Sequence, residues 1–416
     1  MRSRLRLEHS LLAAGMVATS ASSLRFIGGA VGVGELILVV WLVHVWISSS
    51  TRRAGSADLE KKQGLRRFWV VVFPAMLVGM FARVAFGIDA LDSGRDALAY
   101  AFVALISIAM CRRYDSREMI IIAGAVVRWI GLFVGAQVLV AFVLGGGPDL
   151  WWFGPRFRGY SQDPNQLGFY ILALPFLAAW MQSRTFGGVE STSTVRRLLF
   201  VGLVAVCVSV ALLTQSDSLL VAWVIGGLAM YLRYYVGSLA RPVRGYWRGA
   251  VSLLIAPAVV LALVIANSGS LAGAIAQSAD EIIVKDNQAS TRIALWQSAI
   301  EAVYDSPLVG WGPGSYAGSS GPYGGFEAHN SYLQLATNSG IIGLVALLVL
   351  MLSVLAAAWK SGSPPLVGAT VAVMALMFFH HALRHPVFWF TLCALMSMAS
   401  FSILERRGVS GAGTEP

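Results

Sequence analysis

Apolar runs of about 20 residues, each ended by charged residues or glycines, recur from residue 9 to residue 404 and decide what this chain can become. A helix of that length crosses the roughly 30 Å hydrocarbon core of a bilayer, where only helices and closed barrels satisfy their own backbone polar groups. Composition agrees. The chain is 57% hydrophobic and 12% charged, with mean hydropathy +0.69, whereas an average soluble domain is about 25% charged. No stretch is left for a soluble domain of ordinary size. The expectation is one all-α polytopic membrane domain over residues 1–416.

Reading the runs between their breaks predicts about 12 transmembrane helices. They lie near 9–23, 27–47, 68–88, 96–111, 119–143, 168–182, 198–214, 219–236, 249–266, 331–358, 365–380 and 387–404. The basic residues fall on alternate breaks: Arg2, Arg4 and Arg6; Arg52, Arg53, Lys61, Lys62, Arg66 and Arg67; Arg112, Arg113 and Arg117; Arg184, Arg196 and Arg197; Arg233, Arg241, Arg244 and Arg248; then Lys360, Arg406 and Arg407. By the positive-inside rule both termini are cytoplasmic. A basic start followed by an apolar stretch resembles a signal peptide, but a second apolar run follows at once, which suits a retained first helix.

The net charge of +10 does not indicate nucleic acid, because the cations sit in short clusters between apolar runs rather than on one stripe. Cys111, Cys207 and Cys393 lie inside apolar segments at no metal-ligand spacing, so zinc and disulfides are not expected. They read as small apolar packing residues.

On the external side two segments exceed simple turns: 144–167, and a large external loop over 267–330 before the tenth span. In the second, "STRIALWQSAIEAVYDS" places Ile293, Trp296, Ile300 and Val303 at helical spacing behind Ser290 as N-cap, predicting an amphipathic helix on the membrane surface. "GWGPGS" follows. It lacks the Lys-Ser/Thr pair and preceding strand of a nucleotide P-loop, leaving a weak phosphate-binding reading or a mobile lid.

His329 lies between that glycine-rich run and an apolar helix. Its imidazole can accept a proton near neutrality, with Glu327 two residues earlier to orient it; the alternative is a wetted helix end. Arg156, Arg158 and Arg292 are external guanidinium groups suited to bidentate contact with a diphosphate, or to lipid headgroups and acidic neighbours. Within the spans, Glu35, Arg83 and Arg128 are costly unless paired, and Glu35 can pair with either arginine. His380, His381, Arg384 and His385 have no accompanying Cys or carboxylate for a metal and read as an external basic rim.

The stretches "TRIALWQSAIEAVYDSPLVGWGPGSY" and "HNSYLQLATNSGIIG" resemble the signature region of the O-antigen ligase and polymerase superfamily, the WaaL-type ligases and Wzy-type polymerases. The hallmark is a His-Asn pair, nine residues, then Gly-x-x-Gly: His329, Asn330, Gly340 and Gly343. "GYSQDPNQLGFY", with Asn165, resembles an earlier external motif of that family. The resemblance implies a GT-C-like helical bundle with an external or periplasmic active site in the bacterial inner membrane, transferring a glycan from a polyprenyl-diphosphate donor to a sugar hydroxyl without metal, nucleotide or other cofactor. It implies His329 as base or acceptor-positioning group, and Arg292 with Arg158 or Arg156 as donor-diphosphate residues. Repeat-unit polymerisation, with a lipid-linked acceptor, is the expected reaction; ligation to a lipid A core is the alternative. A flippase and a chain-length regulator are implied as partners. One departure stands out: where relatives carry Ser-Arg after a short external turn, this chain has "LTQSDSLL", with Asp217. Either another cation such as Arg83 or Arg384 serves instead, or this chain uses that corner differently. A transporter of lipid-linked sugars is the competing class, against which stands the lack of internal repeats and of paired broken helices.

Overall fold

A computed structural model of the chain describes residues 2–26, 31–48, 57–85, 91–143, 150–152, 156–183, 194–239, 291–314 and 327–411. In chain order these form α1 (Arg2–Ala18), the antiparallel ribbon β1 (Arg25–Phe26) and β2 (Val31–Gly32), α2 (Val33–Ile47), α3 (Ala57–Ala85), α4 (Leu91–Arg113) and α5 (Ser116–Val143). A second ribbon, β3 (Trp151–Trp152) with β4 (Arg156–Phe157), precedes α6 (Pro164–Ile171), α7 (Leu174–Gln182), α8 (Thr194–Thr214) and α9 (Asp217–Leu239). Helix α10 covers residues 291–305. The chain closes with α11 (Ser331–Lys360), α12 (Pro364–Leu376) and α13 (Pro386–Gly411).

Seven of these helices, α3, α4, α5, α8, α9, α11 and α13, are long and apolar enough to cross a membrane. Three expected spans are shorter apolar helices, Leu7–Ala18, Val33–Ile47 and Pro364–Leu376. The span expected at 249–266 lies outside the described residues, as do residues 267–290 and 315–326 of the large loop. The chain is thus a multi-pass, almost wholly helical membrane protein.

The segment 168–182 is not one helix. Pro175 has no N–H and its ring clashes with the carbonyl four residues back, so the helix stops at Ile171 and restarts at Leu174. The indole N–H of Trp223 donates to the freed carbonyl of Leu172 at 2.9 Å. Helix α11 is interrupted too, at Gly340 (φ 63°, ψ −163°). These are two broken helices where continuous spans are expected from hydropathy, because hydropathy does not register backbone breaks.

Small residues let backbones approach where helices cross. A Cβ on Gly226 of α9 would come within 2.7 Å of the Gly368 carbonyl of α12, and one on Gly368 within 2.9 Å of the Gly226 carbonyl. Cys111 and Cys393 pack thiol to thiol at 3.4 Å, and all three cysteines are buried.

Hydrogen bonds gather the α1–β1 turn, the start of α6, the α8–α9 junction, the start of α11 and the α12–α13 junction at one end of the bundle. Ser22 Oγ donates to Gln166 Oε1 at 2.7 Å, Ser216 Oγ to Asn165 Oδ1 at 2.9 Å, and Ser331 Oγ to the His380 carbonyl at 2.6 Å. The polar residues singled out by the motifs converge there.

Candidate active site

The glycine-rich run is not a free lid over residues 306–314; it fills the break in α11. At the break, Thr337 and Asn338 lose the amides that would bond their carbonyls, and Ile341 and Ile342 lose carbonyl acceptors. The strap replaces them. Trp311 N–H donates to the Thr337 carbonyl at 2.7 Å and Gly312 N–H to that of Asn338 at 3.0 Å, while Ile341 N–H donates to the Pro307 carbonyl at 2.8 Å. Gly310 (φ 67°) and Gly340 (φ 63°) take backbone conformations reserved for glycine, and a Cβ on either would overlap the other segment's backbone. Gly343 has a packing reason, since a Cβ there would overlap Ser339 Oγ. The Gly-x-x-Gly pattern thus builds a helix break and its dock.

Beyond the break, Asn330 caps α11, its Oδ1 accepting from Tyr332 N at 3.0 Å and Leu333 N at 3.1 Å. His329 precedes it in the left-handed region (φ 48°). Its neighbour Ala328 is held at both polar groups: its N–H donates to Gln334 Oε1 at 3.0 Å, and its carbonyl accepts from Trp296 Nε1 of α10 at 3.0 Å. Leu295 and Ala299 bury against Ala328, with Leu333 beside them. Ile293 and Ile300, of the stripe expected to lie on the membrane surface, are exposed, along with Tyr304, while Leu295 and Ala299 face the protein. Arg292, seven residues before Ala299, shares that protein-facing side, which brings it to His329.

His329 is exposed as a residue. Protein around its ring nevertheless withdraws water, and with the charge of Arg292 this holds its pKa below the usual 6.5, against the opposing pull of Asp163. His380, half-buried, is pushed down to about 4 by loss of water around its ring and also feels Asp163, His329 and Arg292. His381 is pushed down to about 3 and His385 falls well below its ordinary value, again through burial. The three histidines of the expected basic rim therefore form a neutral, partly buried cluster, and only Arg384 carries charge. His380 and His385 stack at 5.8 Å, both against Phe169 of α6. Among the described residues no His, Cys, Asp and Glu group is arranged to hold a metal ion.

Opposite stands the start of α6. Asp163 is its N-cap, accepting from Asn165 N at 2.9 Å and Gln166 N at 3.0 Å ahead of Pro164 in the first turn. Arg156 Nε donates to the Thr214 carbonyl at 3.1 Å and its Nη2 to Asn165 Oδ1 at 3.4 Å. Burial lowers the Arg156 pKa and Arg292 adds to that, while Asp163 and Asp217 oppose it. Two guanidinium groups, an imidazole and a carboxylate thus act on one another across one space. Asp217, in the first turn of α9, bears on Arg156 through its charge.

The other expected residues fall elsewhere. The Glu327 carboxylate pairs with Arg384 rather than with the His329 ring, and Arg384 also pairs with Asp96 of α4. Arg158 lies over the Trp152 ring at 5.3 Å and donates to the Gln162 carbonyl at 3.4 Å, so of the two neighbouring arginines it is Arg156 whose charge bears on the cluster. Nothing joins Arg83 to the cluster; its Nε and Nη1 are buried without a partner among the described residues. Arg384 is already committed to two carboxylates, so neither cation expected to replace the missing arginine is free and beside Asp217. Glu35 pairs with neither Arg83 nor Arg128 among the described residues; it occupies the first turn of α2, where a carboxylate favours the helix dipole, and Arg128 is exposed. Asp163 joins the cluster without having been singled out by a motif, although an Asp-Pro-Asn run before an apolar helix is the pattern of a capped helix start.

A protein-family model described as O-antigen ligase matches residues 202–348, a stretch that holds α8, α9, α10 and the His329 to Gly343 motif. Over that region the chain is similar to the O-antigen ligase family. No curated protein matches it.

Proposed function

We propose that this protein is a glycosyltransferase of the bacterial plasma membrane, transferring a glycan from a polyprenyl-diphosphate donor to a sugar hydroxyl, and that it polymerises repeat units. The observation that carries the reading is the grouping of His329 with Arg292 and Arg156 at the bundle end opposite the basic loops, which the positive-inside rule assigns to the external face.

The acceptor hydroxyl attacks the anomeric carbon of the donor sugar. The bond from that carbon to the diphosphate oxygen breaks, the electron pair leaves with the diphosphate, and the hydroxyl proton passes to His329. In-line attack inverts the anomeric centre. The chemistry requires fixed positive charge where the leaving group gains negative charge. Arg156, anchored on Thr214 and Asn165, and Arg292, on a docked helix, provide it without reorganising. Asn330 and the glycine motif hold the imidazole in place.

Arg292→Ala is expected to lower kcat/KM for the lipid-linked donor roughly 10²-fold, the scale of removing one preorganised donor to a developing charge. Arg292→Lys should recover part of it, since an ammonium keeps the charge but not the bidentate fork. Purified protein with lipid-linked repeat units gives the measurement, and equal turnover by Arg292→Ala would contradict the assignment.

Ligation of the finished polymer to a lipid A core is the second reading, favoured by the description of the matching family model. The deletion phenotype separates the two. Loss of a polymerase leaves single-repeat chains, and loss of a ligase leaves long chains on the carrier lipid.

A further inference from the structure

We propose that Asp96 and Arg384 are positioning residues for His329, acting through Glu327. The inference rests on the reading of His329 as the group that receives the acceptor's proton. Arg384 sits between two carboxylates, with Nη1 on Asp96 Oδ1 and Nη2 on Glu327 Oε1. The other Asp96 oxygen, Oδ2, accepts from Gly314 N–H at 3.1 Å. One carboxylate on α4 therefore holds the strap at Gly314 and, through one guanidinium, the chain at Glu327, two residues before His329.

Geometry makes this clamp matter for the imidazole. His329 itself is in the left-handed region, which costs an L-residue about 1–2 kcal/mol and persists only where the neighbouring chain dictates it. Its C-terminal neighbour is fixed by the Asn330 cap, and Ala328 by Gln334 and Trp296. Glu327 is the remaining anchor on the N-terminal side. Asp96, only 4% exposed, lies in a span where an unpaired charge would be costly. A planar fork with donors on two edges meets both carboxylates at once in a fixed geometry that a lysine's flexible ammonium does not impose.

The test is a kinetic cycle on the purified full-length protein with a lipid-linked repeat-unit donor: wild type, Asp96→Asn, Glu327→Ala and the double variant. Each single substitution should lower kcat by about 10- to 100-fold, the scale for a reacting group misplaced by about 1 Å. Donor KM should stay within about twofold, because the diphosphate arginines are elsewhere, and the double variant should be no slower than the slower single. Asp96→Asn with wild-type kcat would overturn the proposal, as would a KM that rises in step with the loss, or losses that multiply in the double. Should Asp96→Asn fail to fold, Arg384→Lys is measured instead, with the same expected split of kcat from KM. His329→Ala run alongside separates the two failures: full activity there sinks the base reading itself, whereas an inactive His329→Ala beside a fully active Asp96→Asn sinks only the clamp.

Discussion

His329→Ala is expected to reduce glycan transfer by about 10² to 10⁴-fold, the usual contribution of a positioned general base, while the protein still inserts and folds. The side chain is exposed and does not form the α11 cap, which belongs to Asn330, so little packing is lost. His329→Asn is the more telling variant. Asparagine tolerates the left-handed backbone and can hydrogen-bond a hydroxyl, but it cannot take its proton. If His329 is the base, both variants are equally slow; substantial activity in His329→Asn alone would make the residue a positioner of the acceptor. The pH profile gives an independent reading. A base works when neutral, and burial together with Arg292 lowers the His329 pKa. Activity should therefore be flat through neutrality and fall as pH drops below about 6.5 through that lowered value. Arg292→Ala removes one of the lowering influences, so its residual activity should lose its acid limb at higher pH than wild type. An unshifted limb would mean that the titrating group is not His329.

Much of this site is legible in the sequence because its signals are local. The His-Asn pair before an apolar run predicts a capped helix start, and Asn330 is that cap. Helical periodicity places Arg292 one seven-residue step from Ala299, off the stripe of the exposed Ile293 and Ile300. In a membrane protein a hydrophobic stripe is as easily a lipid face as a packed one, so hydropathy alone does not show that Leu295 and Ala299 are the residues that dock. What the sequence does not reveal is long-range pairing. Glu327 is two residues from His329 but bonds Arg384 and, through it, Asp96, and no local pattern links three residues so far apart. The reading of His380, His381 and His385 as a basic rim fails for a related reason: the charge of a histidine depends on burial, which the tertiary packing around Phe169 decides.

Gly340 should be the least replaceable of the motif residues for stability. Its φ of 63° with ψ of −163° lies in a region essentially confined to glycine, and a Cβ would overlap the backbone carbonyl of Leu308. Backbone strain and overpacking each cost about 1–3 kcal/mol, so Gly340→Ala is expected to destabilise the protein by several kcal/mol, visible as a lower thermal unfolding midpoint in detergent and lower membrane accumulation. Gly94→Ala is the control. That glycine is in α4 with nothing within 4 Å of a built Cβ, and its substitution should be neutral or slightly stabilising. Gly310→Ala should behave like Gly340→Ala, since its Cβ would overlap the Thr337 carbonyl from the strap side. The two sites share one contact, so the double variant should lose less than the sum of the singles. Additive losses, or a Gly340→Ala midpoint equal to wild type, would show that the strap does not depend on the break. If the coupling holds, the glycine motif serves catalysis indirectly: the break that Gly340 permits turns the first turns of α11, and with them Asn330 and His329, toward Arg292 and Asp163, and the strap locks that turn in place.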